Sequence, residues 1–188
     1  MRKQLFIDAG SNVGQSFDHF RSIGYQLEKW DFHLIEPNPN CIQELNRKYK
    51  FLDNVTISEA ALSNHSSTTQ LLGKKELLTS EGNTIVNDHN SAHYVADELL
   101  QVQCIDIKEL LEDASEYDVI HMKLDIESSE YDVLERMIET DTYSQVSEVW
   151  IEWHSKYMNN QKRKIYENRE KEIRKFFKEA GIKINNWH

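Results

Sequence analysis

The sequence predicts an α/β fold, a mostly parallel central sheet with helices on both faces, and three observations carry that prediction. Short apolar runs recur along the chain, each ending on a carboxylate. Stretches with apolar residues three and four apart separate them, and a glycine turn joins the first run to the first such stretch. Parallel strands covered on both faces read as continuous apolar runs, and their connections need a crossover helix.

The first strand is read over residues 4–8, ending on Asp8, with the turn Gly10-Ser11-Asn12-Val13-Gly14 and a helix from about Gln15 after it. The second strand, 32–36, ends on Glu36. Asn38 then caps a helix whose first position is Pro39, where a missing N–H is harmless and φ is preset; Ile42, Leu45 and Tyr49 form its apolar face. A third strand is read at 55–59. Helical and strand periods both fail over 71–98, rich in Asn, Ser, His and Thr, which reads as an irregular excursion or lid over the strand ends. Strands follow at 100–106, 119–125 and 148–152, ending on Asp106, Asp125 and Glu152. Between the last two, Ser129 and Asp132 have the spacing of a capping box, and Tyr131, Leu134, Met137 and Ile138 share one helix face. Ile173, Phe176, Phe177 and Ala180 form the last helix, Gly181 stops it, and a weak strand at 182–184 closes the pattern.

Composition narrows the function classes. The 188 residues suit one domain, 1–188, with 39% hydrophobic and 29% charged residues, too apolar for disorder and too polar for a membrane span. Two prolines and six glycines leave no linker, and no block repeats. A net charge of -10 repels phosphate backbones, so nucleic acid is not expected as a partner. Cys41 and Cys104 cannot build a disulfide framework, and Leu5 to Ile7 is too short an apolar run for a signal peptide. A reducing, cytoplasmic setting is expected, without membrane attachment. Composition says nothing about oligomeric state.

The strongest chemical signal is Asp8-Ala9-Gly10-Ser11-Asn12-Val13-Gly14, a glycine turn between strand and helix, where backbone can approach a ligand closely. A nicotinamide-dinucleotide turn has G-x-G-x-x-G; here Asn12 stands between Gly10 and Gly14, which disfavours an oxidoreductase. Glu36 follows Gly14 by 22 residues at the end of the second strand, where doubly wound folds place an acid that accepts from ribose hydroxyls. The bland alternatives are a tight turn without ligand and a solvated strand-end acid. The joint pattern with Glu36-Pro37-Asn38-Pro39 favours a nucleoside site, and Glu59 with Ala60 would then lie beside its base.

The segments IDAGSNVG, HLIEPNPN, EAALSN, KLDIESSEYDVL and IEWH, in this order, resemble the FkbM family of S-adenosylmethionine-dependent methyltransferases. The resemblance implies a class I methyltransferase (Rossmann-like) fold, S-adenosylmethionine as cofactor, and O-methylation as the usual activity. Carried over by motif, it implies that Asp8, Gly10, Ser11, Asn12 and Gly14 surround the methionine part, Glu36 the ribose, and Glu59 with Ala60 the adenine, while Asp125 faces the active site. Two departures bear on the acceptor side. Where the family commonly has Asp-x-Glu-Gly-Ala-Glu, the chain has Asp125-Ile126-Glu127-Ser128-Ser129-Glu130, and only a few residues precede the first strand, so no amino-terminal cap is expected.

Methyl transfer from a sulfonium is an in-line displacement that needs alignment more than covalent catalysis. The acceptor is expected to be a hydroxyl on a sugar, glycan or other small metabolite. Asp125, Glu127, Glu130, Glu152 and His154 are the candidates to take its proton, and His154 has the best unperturbed pKa. A non-catalytic cofactor-binding module is the alternative from another class. Lys123 and Asp125, two apart on a strand, read as a buried ion pair. No metal is expected: His89 and His93 sit in a loop-like segment without a third ligand, and 152–154 lacks the Asp-Asn pair of catechol-type enzymes. The basic residues over 156–178 read as a solvated helix face, with an anion-attracting rim as the alternative; Trp150 reads as core and Trp153 as an acceptor-site candidate.

Overall fold

The computed structural model describes residues 2–73, 82–90 and 100–188. Its central sheet has six parallel strands: β1 (Gln4–Ala9), β2 (Trp30–Glu36), β3 (Val55–Glu59), β7 (Val119–Leu124), β8 (Val146–Ile151) and β9 (Lys183–Asn186), ordered β3-β2-β1-β7-β8-β9. Chain order therefore reverses between β1 and β7. Five helices are described: α1 (Gln15–Ser22), α2 (Pro39–Tyr49), α3 (Ile107–Asp113), α4 (Glu130–Glu139) and α5 (Arg163–Glu179).

Alternation along β1 explains the two cores. Phe6 points to one face and packs with Phe17, Phe20, Phe32 and Leu45, which α1 and α2 cover. Leu5, Ile7 and Ala9 point to the other, against side chains of α3, α4 and α5 such as Leu111, Leu134 and Phe177. Phe6 and Phe20 lie 4.3 Å apart by ring centroid, in a cluster that extends to Tyr25 and Trp150.

Two expectations are corrected. Residues 100–106 do form a strand, β6 (Leu100–Asp106), but it leaves the central sheet. It pairs in parallel with β4 (Ala61–Ser63) and antiparallel with β5 (Ser67–Leu71), two strands that no apolar run announced, to make a separate three-stranded sheet. Its end is nevertheless used: Asp106 caps α3 through Lys108 N–H (2.9 Å) and holds Arg136 of α4 (2.9 Å). At α4, Ser129 makes no side-chain cap. The carboxylate of Glu130 folds back instead and accepts from the N–H groups of Ile126 (2.7 Å) and Ser128 (3.0 Å). Asn38 caps α2 as expected, accepting from Asn40 N–H at 3.0 Å. Of the excursion over 71–98, only 71–73 and 82–90 are described; His93 lies outside the described residues.

Candidate functional site

A cavity of about 610 Å³ opens where the strand order reverses, at the carboxyl ends of the strands, the position where open α/β sheets take ligands. Its floor is the turn after β1. Gly10 has φ 74° and lies so close to the backbone after β7 that an added Cβ would stand 1.8 Å from the Asp125 carbonyl oxygen. Only glycine permits both the left-handed conformation and that approach. Gly10 and Ser11 N–H groups both donate to the Ile35 carbonyl (3.0 and 3.2 Å), which ties the turn to β2.

Glu36, at the end of β2, is buried and lines the cavity. One oxygen accepts from Asn12 N–H (3.0 Å) and the other from Asn38 N–H (2.9 Å), so each keeps a second acceptor site. Burial raises its pKa against those two hydrogen bonds. Ala60 N–H donates to the Glu36 carbonyl (3.1 Å), which brings Ala60 to the same wall.

Beneath the turn, Lys123 of β7 is almost wholly buried between Asp8 (3.4 Å) and Asp125 (3.3 Å), and donates to the Gly10 carbonyl at 2.7 Å. Burial alone would lower its pKa, but the two carboxylates outweigh burial and hold it above the usual lysine range. The Lys123–Asp125 ion pair read from the spacing is present, with Asp8 as a third member.

Asp125, Glu127 and His154 meet on the opposite wall. His154 Nε2 lies 3.4 Å from Glu127 Oε2 and 3.8 Å from Asp125 Oδ1, while its Nδ1 lies 3.0 Å from Glu130 Oε1. Glu127 and Ser128 have φ 51° and 84°, a left-handed pair that turns the Glu127 carboxylate inward; Thr84 Oγ1 donates to its carbonyl at 2.6 Å. The loop at 82–90 adds His89, buried, with Nε2 3.4 Å from the same Glu127 oxygen. Burial raises Glu127 to about 7, helped by Asp125, Glu130 and Glu152 against the pull of His154. Burial would lower His154, but Glu130, Glu127 and Asp125 push it up to about 9. The expectation of an imidazole with an ordinary pKa near 6.5 is corrected accordingly: three carboxylates keep it protonated at neutrality.

Of the residues expected at the cofactor, Gly10, Ser11, Asn12, Glu36, Ala60 and Asp125 line the cavity. Asp8, Gly14 and Glu59 are not brought to it. Asp8 is fully buried under the turn, accepting from Ser16 Oγ at 2.5 Å; Gly14 is packed on the Tyr49 ring; Glu59 is exposed on the edge strand. All three residues expected to be catalytic line the cavity, as does Glu152. Trp153 instead packs under Arg174, 4.5 Å from its ring centroid. Trp187, just past β9, takes a place on the wall that the sequence reading left unassigned. The signal available for it was its position after the last strand, the same signal that located Glu36.

A family model described as Methyltransferase FkbM domain matches residues 8–184. No curated protein matches the chain. Among solved structures, the crystal structure of S. aureus homoserine dehydrogenase at pH 6.0 aligns at 12% identity with a TM-score of 0.30, covering 99% of this chain and 33% of that one. The chain thus spans about a third of that structure's length.

Proposed function

The chain belongs to the FkbM methyltransferase domain family, and from that premise we propose that it moves the methyl group of S-adenosylmethionine onto a hydroxyl oxygen of a sugar or other small metabolite. When bound, that cofactor supplies an electrophilic methyl on a sulfonium. The observation that carries the reading is Glu36: a buried strand-end carboxylate on the cavity wall whose two oxygens each retain an acceptor site for a pair of ribose hydroxyls. The glycine cradle fits the same group, because the missing Cβ at Gly10 lets backbone form the floor. The cavity volume lies within the usual small-ligand range of about 300–1,000 Å³.

In this reading Gly10, Ser11 and Asn12 hold the methionine part, Glu36 the ribose and Ala60 the base. Lys123 fixes the orientation of Asp125 beneath the reacting centre. Asp125 and Glu127 receive the acceptor's proton, while His154, already protonated, orients those two carboxylates and is held from behind by Glu130. Carboxylates around a cationic sulfonium also make electrostatic sense. Among the described residues no helix is long and apolar enough to cross a membrane. Two buried, unpaired cysteines support a reducing, cytoplasmic setting, and the net charge of -10 argues against a nucleic-acid partner.

The test is product analysis. The protein is incubated with methyl-labelled S-adenosylmethionine and a panel of sugars, glycans and small alcohols, and the label is located by mass spectrometry. Label on an oxygen supports the proposal. Label on nitrogen or carbon would overturn O-methylation, and cofactor binding without transfer to any acceptor class would favour a non-catalytic binding module.

A further inference from the structure

The cluster on the acceptor wall is more than the methyl-transfer reading requires. Asp125, Glu127 and His154 each offer a ligand atom, and these atoms all lie within 4.8 Å of one another. The separations, 3.4 Å from His154 Nε2 to Glu127 Oε2 and 3.8 Å to Asp125 Oδ1, are close to the edge of about 3.4 Å for donors around one ion with bonds of about 2.1 Å. We infer that Asp125, Glu127 and His154 form a binding site for one divalent first-row transition-metal ion.

Three further features support it. His154 is buried, and its other ring nitrogen faces the Glu130 carboxylate at 3.0 Å. That contact leaves Nε2 as the atom turned toward Asp125 and Glu127. Glu130 is itself held by two backbone N–H groups, so the orienting carboxylate is fixed before any ion arrives. The charge balance points the same way: Lys123 is shared between Asp8 and Asp125, and no lysine or arginine pairs with Glu127 or Glu130 among the described residues. Finally, the chain spends two left-handed residues, Glu127 and Ser128, to aim the Glu127 carboxylate at His154.

The donor set selects the ion. One imidazole with two carboxylates suits manganese, iron, cobalt or zinc, whereas magnesium and calcium favour all-oxygen sites. His89, against the same Glu127 oxygen at 3.4 Å, adds a second imidazole to the rim. The ion would serve as a template for the acceptor oxygen. That role rests on the methyltransferase reading; the binding site does not.

The experiment is a Mn²⁺ titration of the full chain, followed by loss of the free aqueous Mn²⁺ electron-paramagnetic signal, with no methyl donor or acceptor present. One tightly bound Mn²⁺ per chain, displaced by Zn²⁺, is expected. Glu127→Gln and His154→Ala should each weaken binding at least tenfold. Glu130→Gln should weaken it about ten- to a hundredfold by releasing the His154 ring. Near-UV circular dichroism confirms that each variant is folded, and Glu44→Gln, a half-buried change on α2 outside the cavity, should bind as the wild type does. Wild-type binding no stronger than that of Glu127→Gln would overturn the site, as would Mn²⁺ affinity indifferent to all three variants. Calorimetry with S-adenosylhomocysteine on the same preparation keeps the two ideas apart. Cofactor binding without Mn²⁺ binding ends the metal site alone, and Mn²⁺ binding without cofactor binding ends the cofactor reading alone.

Discussion

At the level of single residues, the proposed reading puts Glu36 on a donor side of the cavity and His154 on an acceptor side, and their substitutions should separate accordingly. A hydrogen bond to a charged group contributes about 1.5–3 kcal/mol, so Glu36→Ala should weaken S-adenosylhomocysteine binding roughly tenfold to a hundredfold. Glu36 also holds the Asn12 and Asn38 N–H groups. Glu36→Gln is therefore the companion variant, since its amide oxygen can keep one of the two contacts; calorimetry should place it between Ala and wild type. His154 lies on the far wall, so His154→Ala should leave that affinity within a few-fold while slowing methyl transfer by about 10² to 10⁴, the range for disturbing general-base catalysis, because His154 fixes the Glu127 carboxylate that takes the proton. Initial rates with an established acceptor check it, and near-normal turnover would remove His154 from the reaction. The place of both residues on the cavity wall was legible in the sequence, because open α/β sheets form their clefts at the strand ends. The pKa of His154 was not, since it depends on Glu130, which reaches the ring only because α4 begins with its carboxylate folded back.

At the level of elements, β1 and β7 are held together under the site by Lys123 between Asp8 and Asp125. Removing one partner of a buried ion pair leaves an uncompensated charge, typically costing about 3–5 kcal/mol, so Lys123→Met should destabilise the fold by that order. Urea unfolding measures it, and Asp8→Asn in the same background should restore part of the loss because the stranded carboxylate is gone. Equal stability of wild type and Lys123→Met would mean that the triad is not charged. The spacing of Lys123 and Asp125 revealed this contact, but Asp8 joined it only through the register of β1 beside β7. The same distinction explains the rest. Strands buried on both faces were readable from their apolar runs. β4 has three residues, and β5 reads Ser-Thr-Thr-Gln-Leu, so neither offers a period to detect, and β6 followed them out of the central sheet.

At the level of the whole molecule, the fold carries histidines that it keeps neutral. His33 in β2 bonds Ser58 Oγ at 2.7 Å, and His121 in β7 bonds Tyr25 OH at 2.9 Å. Burial lowers both pKa values from the ordinary 6.5; at His121, Glu148 opposes burial and Lys183 assists it. The unfolded chain therefore takes up protons near pH 6.5 that the folded chain refuses. This contribution to stability is complete above that pH and is lost as pH falls below it. His121→Phe should accordingly lose less stability than wild type between about pH 7.5 and about pH 5.5, read from urea midpoints at each pH; equal slopes would show that His121 is not held neutral. The helices that cover the sheet are stabilised by apolar contact on its two faces, while the polar groups converge on one rim where the strand order reverses between β1 and β7.

The claim on which the rest depends is that this rim is a methyl-donor site. Isothermal titration of the purified chain with S-adenosylhomocysteine, and in parallel with NADH, tests it most directly. The account predicts one S-adenosylhomocysteine bound per chain, an affinity reduced in Glu36→Ala, and no heat from NADH, because Asn12 stands where a second dinucleotide glycine would be. Saturable NADH binding with no detectable S-adenosylhomocysteine binding would contradict it.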